Sequence, residues 1–263
     1  MTAMTRPGNS DNSNARHERD FDVQRSYFAQ RRPIRMLPLD TPYVRRHHEE
    51  VMRRGMLAAG EHICEWGAGL GRFSRLLLAS GLKVDAIELS PEQTAECRQA
   101  IGANPDFRMH CGDVGEQLEQ LDGSFDAMVG YFMLHHLPEL GSYFRKAFTA
   151  LKPGGRMVFV EPNPWCPLFP IQITLTPGMR WAAERGIYGL TPKRLNTAAR
   201  LAGFTGLSIE RYGSLPRAPY NWLGRWDRER MLEPFVPRSM KPFQSIVMHK
   251  PSTVSANNMG GPA

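Results

Sequence analysis

The residues in this chain whose types and spacing suit chemistry are one acid, three glycines, two more acids and a pair of histidines. In "CEWGAGLGRF", Glu65 stands two positions before Gly67, and Gly69 and Gly71 follow at alternate positions. An ordinary turn needs one or two such glycines. Three at this spacing let something approach the backbone closely. Glu65 limits what that is: a carboxylate repels a pyrophosphate and suits a cationic ligand carrying an amino group. The spacing G-x-G-x-G also departs from the G-x-G-x-x-G of dinucleotide sites. Further along, Glu88 ends "VDAIE" and Asp113 follows "FRMHCG", while His135 and His136 follow the apolar "DAMVGYFML". Adjacent histidines at the end of a strand are candidate general bases.

These residues need elements to hold them. Thr41 and Pro42 open a helix over about 42–54 as N-cap and first helical residue. "HICEW" reads as a strand, and "GRFSRLLLASG" as a helix ending at Gly81. "LKVDAIEL" is a strand. "SPEQTAECRQAIG" is a helix capped by Ser90, with Gln93 in the capping-box position. "DFRMHCGD" and the almost wholly apolar "SFDAMVGYFM" are the third and fourth strands. "GSYFRKAFTALKPGG" reads as a helix stopped by Pro153 and Gly154, and "RMVFVEP" as the fifth strand. Thr191 and Gly203 bracket another helix, and "GLSIERYG" and "FQSIVMHK" are the last two strands. This rhythm implies βαβ units: an α/β, doubly wound, Rossmann-like sheet of about seven strands, mostly parallel, with helical and loop lid insertions. Ligands of such sheets sit beyond the carboxyl ends of the strands, where the three glycines fall.

"ICEWGAGLGRF" resembles motif I of the class I S-adenosylmethionine (SAM)-dependent methyltransferases, and "VDAIEL", "CGDV", "GYFMLHHL" and "LKPGGRMVFVEP" resemble that family's later motifs in order. The likeness covers about residues 55–161 by motif and extends more loosely to about 250. It implies SAM as cofactor and S-adenosylhomocysteine as product. Glu65, Gly67, Ala68, Gly69 and Gly71 would form the binding loop. Glu88, with Leu89 beside it, would hold the ribose hydroxyls, Asp113 would accept the adenine amino group, and Val114 would pack by the ring. Tyr131, at the end of the fourth strand, would line the same site. His135 and His136 are the candidate catalytic residues, although "LHHL" also packs or caps a helix in this family. Tyr27 and Tyr43 are expected to touch the cofactor, and Phe28 and Trp165 to close the pocket over the substrate. The alternative is that these aromatics pack an N-terminal helix onto the sheet.

With 263 residues, 41% of them hydrophobic, the chain suffices for one large domain. Residues 1–20 and 251–263 read as disordered tails, 21–54 as a helical cap, and 55–250 as the SAM-binding domain with lids at 163–190 and 214–241. The formal net charge of +7 comes from scattered arginines, which argues against a nucleic-acid partner. Cys64, Cys97, Cys111 and Cys166 show no metal-ligand or disulfide spacing, and no acidic cluster stands beside the fourth strand, so no metal is expected. Apolar runs are too short for a membrane span. The reading is a cytoplasmic monomer or homodimer that methylates a small-molecule or lipid-like metabolite, in the manner of secondary metabolism. The alternatives are use of SAM without methyl transfer, such as its own cyclisation, an RNA methyltransferase, or a non-catalytic SAM-binding protein.

Overall fold

Strands of near-continuous apolar sequence bury both faces, and the helices between them cover those faces with one apolar stripe each. In the computed structural model, residues 40–121, 125–175, 180–215, 217, 220–221 and 228–252 are described. The order is α1 (Pro42–Gly55), β1 (His62–Trp66), α2 (Arg72–Ala79), β2 (Lys83–Glu88), α3 (Pro91–Ile101), β3 (Phe107–Cys111), α4 (Val114–Gln120) and β4 (Phe125–Tyr131). A single 3-10 turn (Leu134–His136), α5 (Leu140–Ala150) and β5 (Leu151–Pro162) follow. An insertion carries α6 (Leu168–Leu175), α7 (Trp181–Glu184) and a 3-10 segment (Arg185–Gly189). Then come α8 (Pro192–Ala202), β6 (Thr205–Tyr212), α9 (Arg228–Leu232) and β7 (Phe243–His249).

The seven-stranded sheet has the order β3-β2-β1-β4-β5-β7-β6. Strands β1 to β5 pair in parallel, and β7 runs antiparallel to both β5 and β6. The doubly wound, mostly parallel architecture read from the sequence is therefore present, with strand order reversing between β1 and β4. One face is packed with Trp66, Phe144, Phe159 and Leu195, the other with Val44, Val51, Phe73 and Leu77.

Helix ends follow the chemistry of their caps. Thr41 Oγ1 accepts the Val44 N–H at 3.3 Å, Ser90 Oγ that of Gln93 at 3.2 Å, and Thr191 Oγ1 that of Arg194 at 3.4 Å. The capping box at Ser90 is altered, because its own N–H donates to Glu88 Oε1 at 2.9 Å. The helix read as running into "LKPGG" ends earlier, at Ala150, and β5 starts at Leu151 with a register shift opposite Phe125 and Ala127. Pro153 and Gly154 thus lie in an irregular strand start, where a missing donor is tolerated. The sequence reading also passed over α4, which Asp113 caps through Oδ1 to the Glu116 N–H at 3.1 Å.

Helix α1, read as part of a cap, lies against the sheet with Tyr43, Val44, His47, Glu50 and Val51 buried. Added at Gly55, a Cβ would sit 2.8 Å from Val158 on β5. The two stretches read as lids are tied to each other: Asn163 Nδ2 donates to the carbonyls of Ser239 and Lys241 at 3.2 and 2.7 Å. Tyr27, Phe28 and the tails at 1–20 and 253–263 lie outside the described residues.

Candidate functional site

Strand β1 ends at Trp66, and the chain turns through Gly67, Gly69 and Gly71, whose φ angles are +70°, +56° and +75°. This left-handed region is open to glycine and disfavours other residues. A Cβ at Gly71 would meet Cys97 Sγ at 2.7 Å, and one at Gly67 would meet Met133 Cβ at 3.0 Å. The turn is tied to β2 by the N–H groups of Gly67 and Ala68, which donate to the Ile87 carbonyl at 2.8 and 3.1 Å. Helix α2 then starts with Gly71 as N-cap and no side-chain cap. Its first-turn amides are thus available to an anionic ligand group.

Two acids flank this turn. Glu65 is buried and accepts from Ser74 Oγ at 2.5 Å. Burial, with a smaller push from Glu88, raises its pKa to about 7 against the help of Ser74. Glu88, also buried, accepts the N–H groups of Gly69 and Ser90, both at 2.9 Å. Burial raises its pKa too, and those amides partly offset the rise. The Glu88 carboxylate still has acceptor capacity for a ligand hydroxyl. Leu89 beside it is half-buried. Asp113 ends the next loop, its Oδ1 capping α4 and its Oδ2 accepting Tyr143 OH at 2.9 Å. Val114 is buried behind it. Acids and glycines from three loops thus meet along one edge of the sheet, which fits a ligand with an amino group, a carboxylate and a diol.

Beside this edge is an aromatic cluster. Tyr131 stacks on Phe73 at 5.6 Å and on Phe132 at 4.4 Å, and burial pushes its phenol up to about 12. Tyr43 is buried against His47, Phe132, Tyr220 and Phe243. At the centre is His47, whose Nδ1 pairs with Tyr212 OH at 2.5 Å and whose Nε2 has no hydrogen-bond partner. Burial, helped by Arg46 and Arg72, lowers its pKa well below the usual imidazole value. Sequence reasoning missed His47; its only signal was its place four residues after Tyr43, on the same face of α1. Phe132 has φ +53°, an uncommon conformation for a bulky residue. Trp165 is 58% exposed.

His135 and His136 occupy the 3-10 turn after β4. His135 is buried, with Nδ1 2.6 Å from Glu161 Oε2 and Nε2 3.4 Å from Glu184 Oε2. Burial opposes its charge, but the two carboxylates prevail and lift its pKa to about 9. Both ring nitrogens therefore face acids within the protein. His136 is half-buried, its ring centroid 3.9 Å from that of His135. Glu161 and Glu184 were not singled out in the sequence, because nothing local marks an acid at the end of β5 or in an insertion as a partner of β4.

Residues 64–159 match a family described as a methyltransferase domain. This segment runs from β1 almost to the end of β5, and so carries the glycine turn and all three loop acids. The demethylmenaquinone methyltransferase of Tropheryma whipplei is 35% identical over 107 residues, which cover 40% of this chain and 43% of that protein. The chain thus spans less than half the length of that curated relative. Among solved structures, phosphoethanolamine N-methyltransferase 2 of Haemonchus contortus, in complex with S-adenosyl-L-methionine, superposes with a TM-score of 0.56 at 17% identity. That match covers 78% of this chain and 52% of the other. The [4+2]-cyclase SpnF superposes with a TM-score of 0.55 at 20% identity, covering 79% and 82%. At such identities the superpositions speak for the fold. The resemblance to class I SAM-dependent methyltransferases is borne out for this segment.

Proposed function

We propose, with the methyltransferase domain at residues 64–159 as premise, that the protein transfers a methyl group from SAM to a small acceptor of the quinone or quinol type. The observation that carries this reading is the convergence of Glu65, the glycine turn and Glu88 on one edge of the sheet, with Glu88 bonded to Gly69. SAM supplies an electrophilic methyl group. Glu88 binds the ribose hydroxyls, Asp113 takes the adenine amino group, and the uncapped start of α2 holds the carboxylate. Glu65 faces the ammonium. The aromatic rings of Tyr131 and Phe132 shield the transfer edge from water, which protects a reactive methyl donor. Positioning of the two reactants then carries most of the rate.

The acceptor class is supported by the name of the Tropheryma relative and by the aromatic cluster beside the cleft, which suits a flat ring. It replaces the broader setting of secondary metabolism. The insertions at 163–190 and 214–241 act as lids in this reading. Among the described residues no helix is long and apolar enough to cross a membrane. The test is purified protein with methyl-labelled SAM and a panel of demethylated quinols, read by mass spectrometry. Labelled quinol supports the reading; S-adenosylhomocysteine without a labelled acceptor counts against it. A second reading, SAM binding without methyl transfer, is favoured by the fold shared with the cyclase SpnF. Conversion of SAM, in the absence of any acceptor, to a product other than S-adenosylhomocysteine would select it.

A further inference from the structure

The turn after β4 and the insertion after β5 bring together two histidines and two carboxylates. Glu161 Oε1 accepts the N–H groups of Met133 and Leu134 at 2.8 and 2.6 Å, which fixes the turn. Its Oε2 takes His135 Nδ1 at 2.6 Å. With Nδ1 held by Glu161, the other ring nitrogen, Nε2, is directed at Glu184. Nε2 and Glu184 Oε2 stand 3.4 Å apart, longer than a usual N–H···O hydrogen bond. That separation instead matches the edge of a tetrahedron whose metal–ligand bonds are about 2.0–2.1 Å long. His136 offers a third donor, and the donor atoms of His135, His136 and Glu184 lie within 4.8 Å of one another.

A second observation shows that this arrangement is built. A Cβ at Gly186 would sit 1.8 Å from the His135 carbonyl oxygen. The backbone two residues after Glu184 thus rests directly on the backbone of the histidine turn, at a contact only glycine permits.

We propose that His135 Nε2, His136 and Glu184 hold a divalent first-row transition cation, zinc as first choice, with Glu161 orienting His135 from behind. Two histidines and a glutamate suit that ion, and three protein ligands leave a fourth position for water or another oxygen ligand. Glu161 plays the part of the carboxylate that commonly backs a metal-bound imidazole. The absence of metal expected from the sequence followed from looking for acids near β4, whereas here the acid arrives from the insertion. The inference stands apart from methyl transfer, because it is read without cofactor or acceptor.

The test uses the full chain without a histidine tag, stripped with a chelator and then titrated with Co²⁺ and with Zn²⁺. One tightly held equivalent is expected, with the visible absorption of low-symmetry nitrogen and oxygen coordination for Co²⁺, displaced by Zn²⁺. Glu184→Gln and His136→Gln should weaken binding at least about a hundredfold, and Glu161→Gln about ten- to a hundredfold. Far-UV circular dichroism confirms that each variant is folded. If a variant does not fold, the wild-type titration decides alone. Failure to bind one saturable equivalent overturns the proposal, as does binding that survives in folded Glu184→Gln and His136→Gln.

Discussion

Burial without a cationic partner keeps Glu65 protonated through most of the acid range, its pKa lifted to about 7. A ligand ammonium prefers the carboxylate form, so binding below pH 7 must release a proton. SAM affinity should therefore rise with pH, by up to about tenfold per unit below pH 7, and level off above it. Glu65→Gln should flatten that profile, as calorimetry at several pH values will show. Without ligand the sign reverses. Between about pH 4.5 and 7 the folded state holds a proton that the unfolded chain releases, so stability falls as pH rises, by about 3 kcal/mol in all. Glu88→Ala should weaken SAM at least about tenfold, since two hydroxyls and the Gly69 amide lose a charged acceptor. Asp113→Asn should cost less, because an amide oxygen still caps α4 and still accepts from an adenine amino group. Unchanged affinity in Glu88→Ala would undo the placement of the ribose. The glycines and Glu88 could be read from the sequence because their task is local. His47, Glu161 and Glu184 could not, because their partners Tyr212 and His135 are distant in the chain.

At the scale of elements, capping chemistry was the most legible signal: Thr41, Ser90 and Thr191 each cap the helix their sequence announces. Helix α4 was missed because it is short and lies between two strands with weak periodicity of its own. The "KPGG" stretch misled because its proline and glycines read as a stop, whereas a register shift lets β5 begin before them. The insertion after β5 is pinned at Gly186. Gly186→Ala should cost about 3 kcal/mol in denaturant unfolding, since a methyl group against a carbonyl oxygen forces the segment away. It should also speed proteolytic cutting within 163–190. A Thr191→Ala change, which removes only a cap, should cost about 1 kcal/mol and leave that cutting unchanged. Equal effects from the two would argue against the tight seat of the insertion.

At the scale of the molecule, the sheet layers are held together by a buried acid. Glu50 on α1 accepts Ser245 Oγ of β7 at 3.0 Å and pairs with Arg46 and Arg53, at 3.3 and 2.9 Å. Arg46 in turn reaches Glu233 at 3.1 Å. Glu50→Ala should cost about 3 kcal/mol, because buried polar groups lose their partner. A thermal shift of under about 2 °C would mean that the helix layer holds without it. The sequence rhythm told of the parallel strands but not of the neighbours of β7, since pairing partners are set by packing and not by order along the chain. That placement has a consequence for synthesis. β7 is the last strand of the sheet to leave the ribosome, yet it belongs between β5 and β6. Until it emerges, β6 has no partner and β5 presents a bare edge, for a time on the order of seconds at about 5–20 residues per second. Nascent chains stalled before Phe243 should therefore be far more prone to aggregate, and more dependent on chaperones, than chains stalled after emergence of His249.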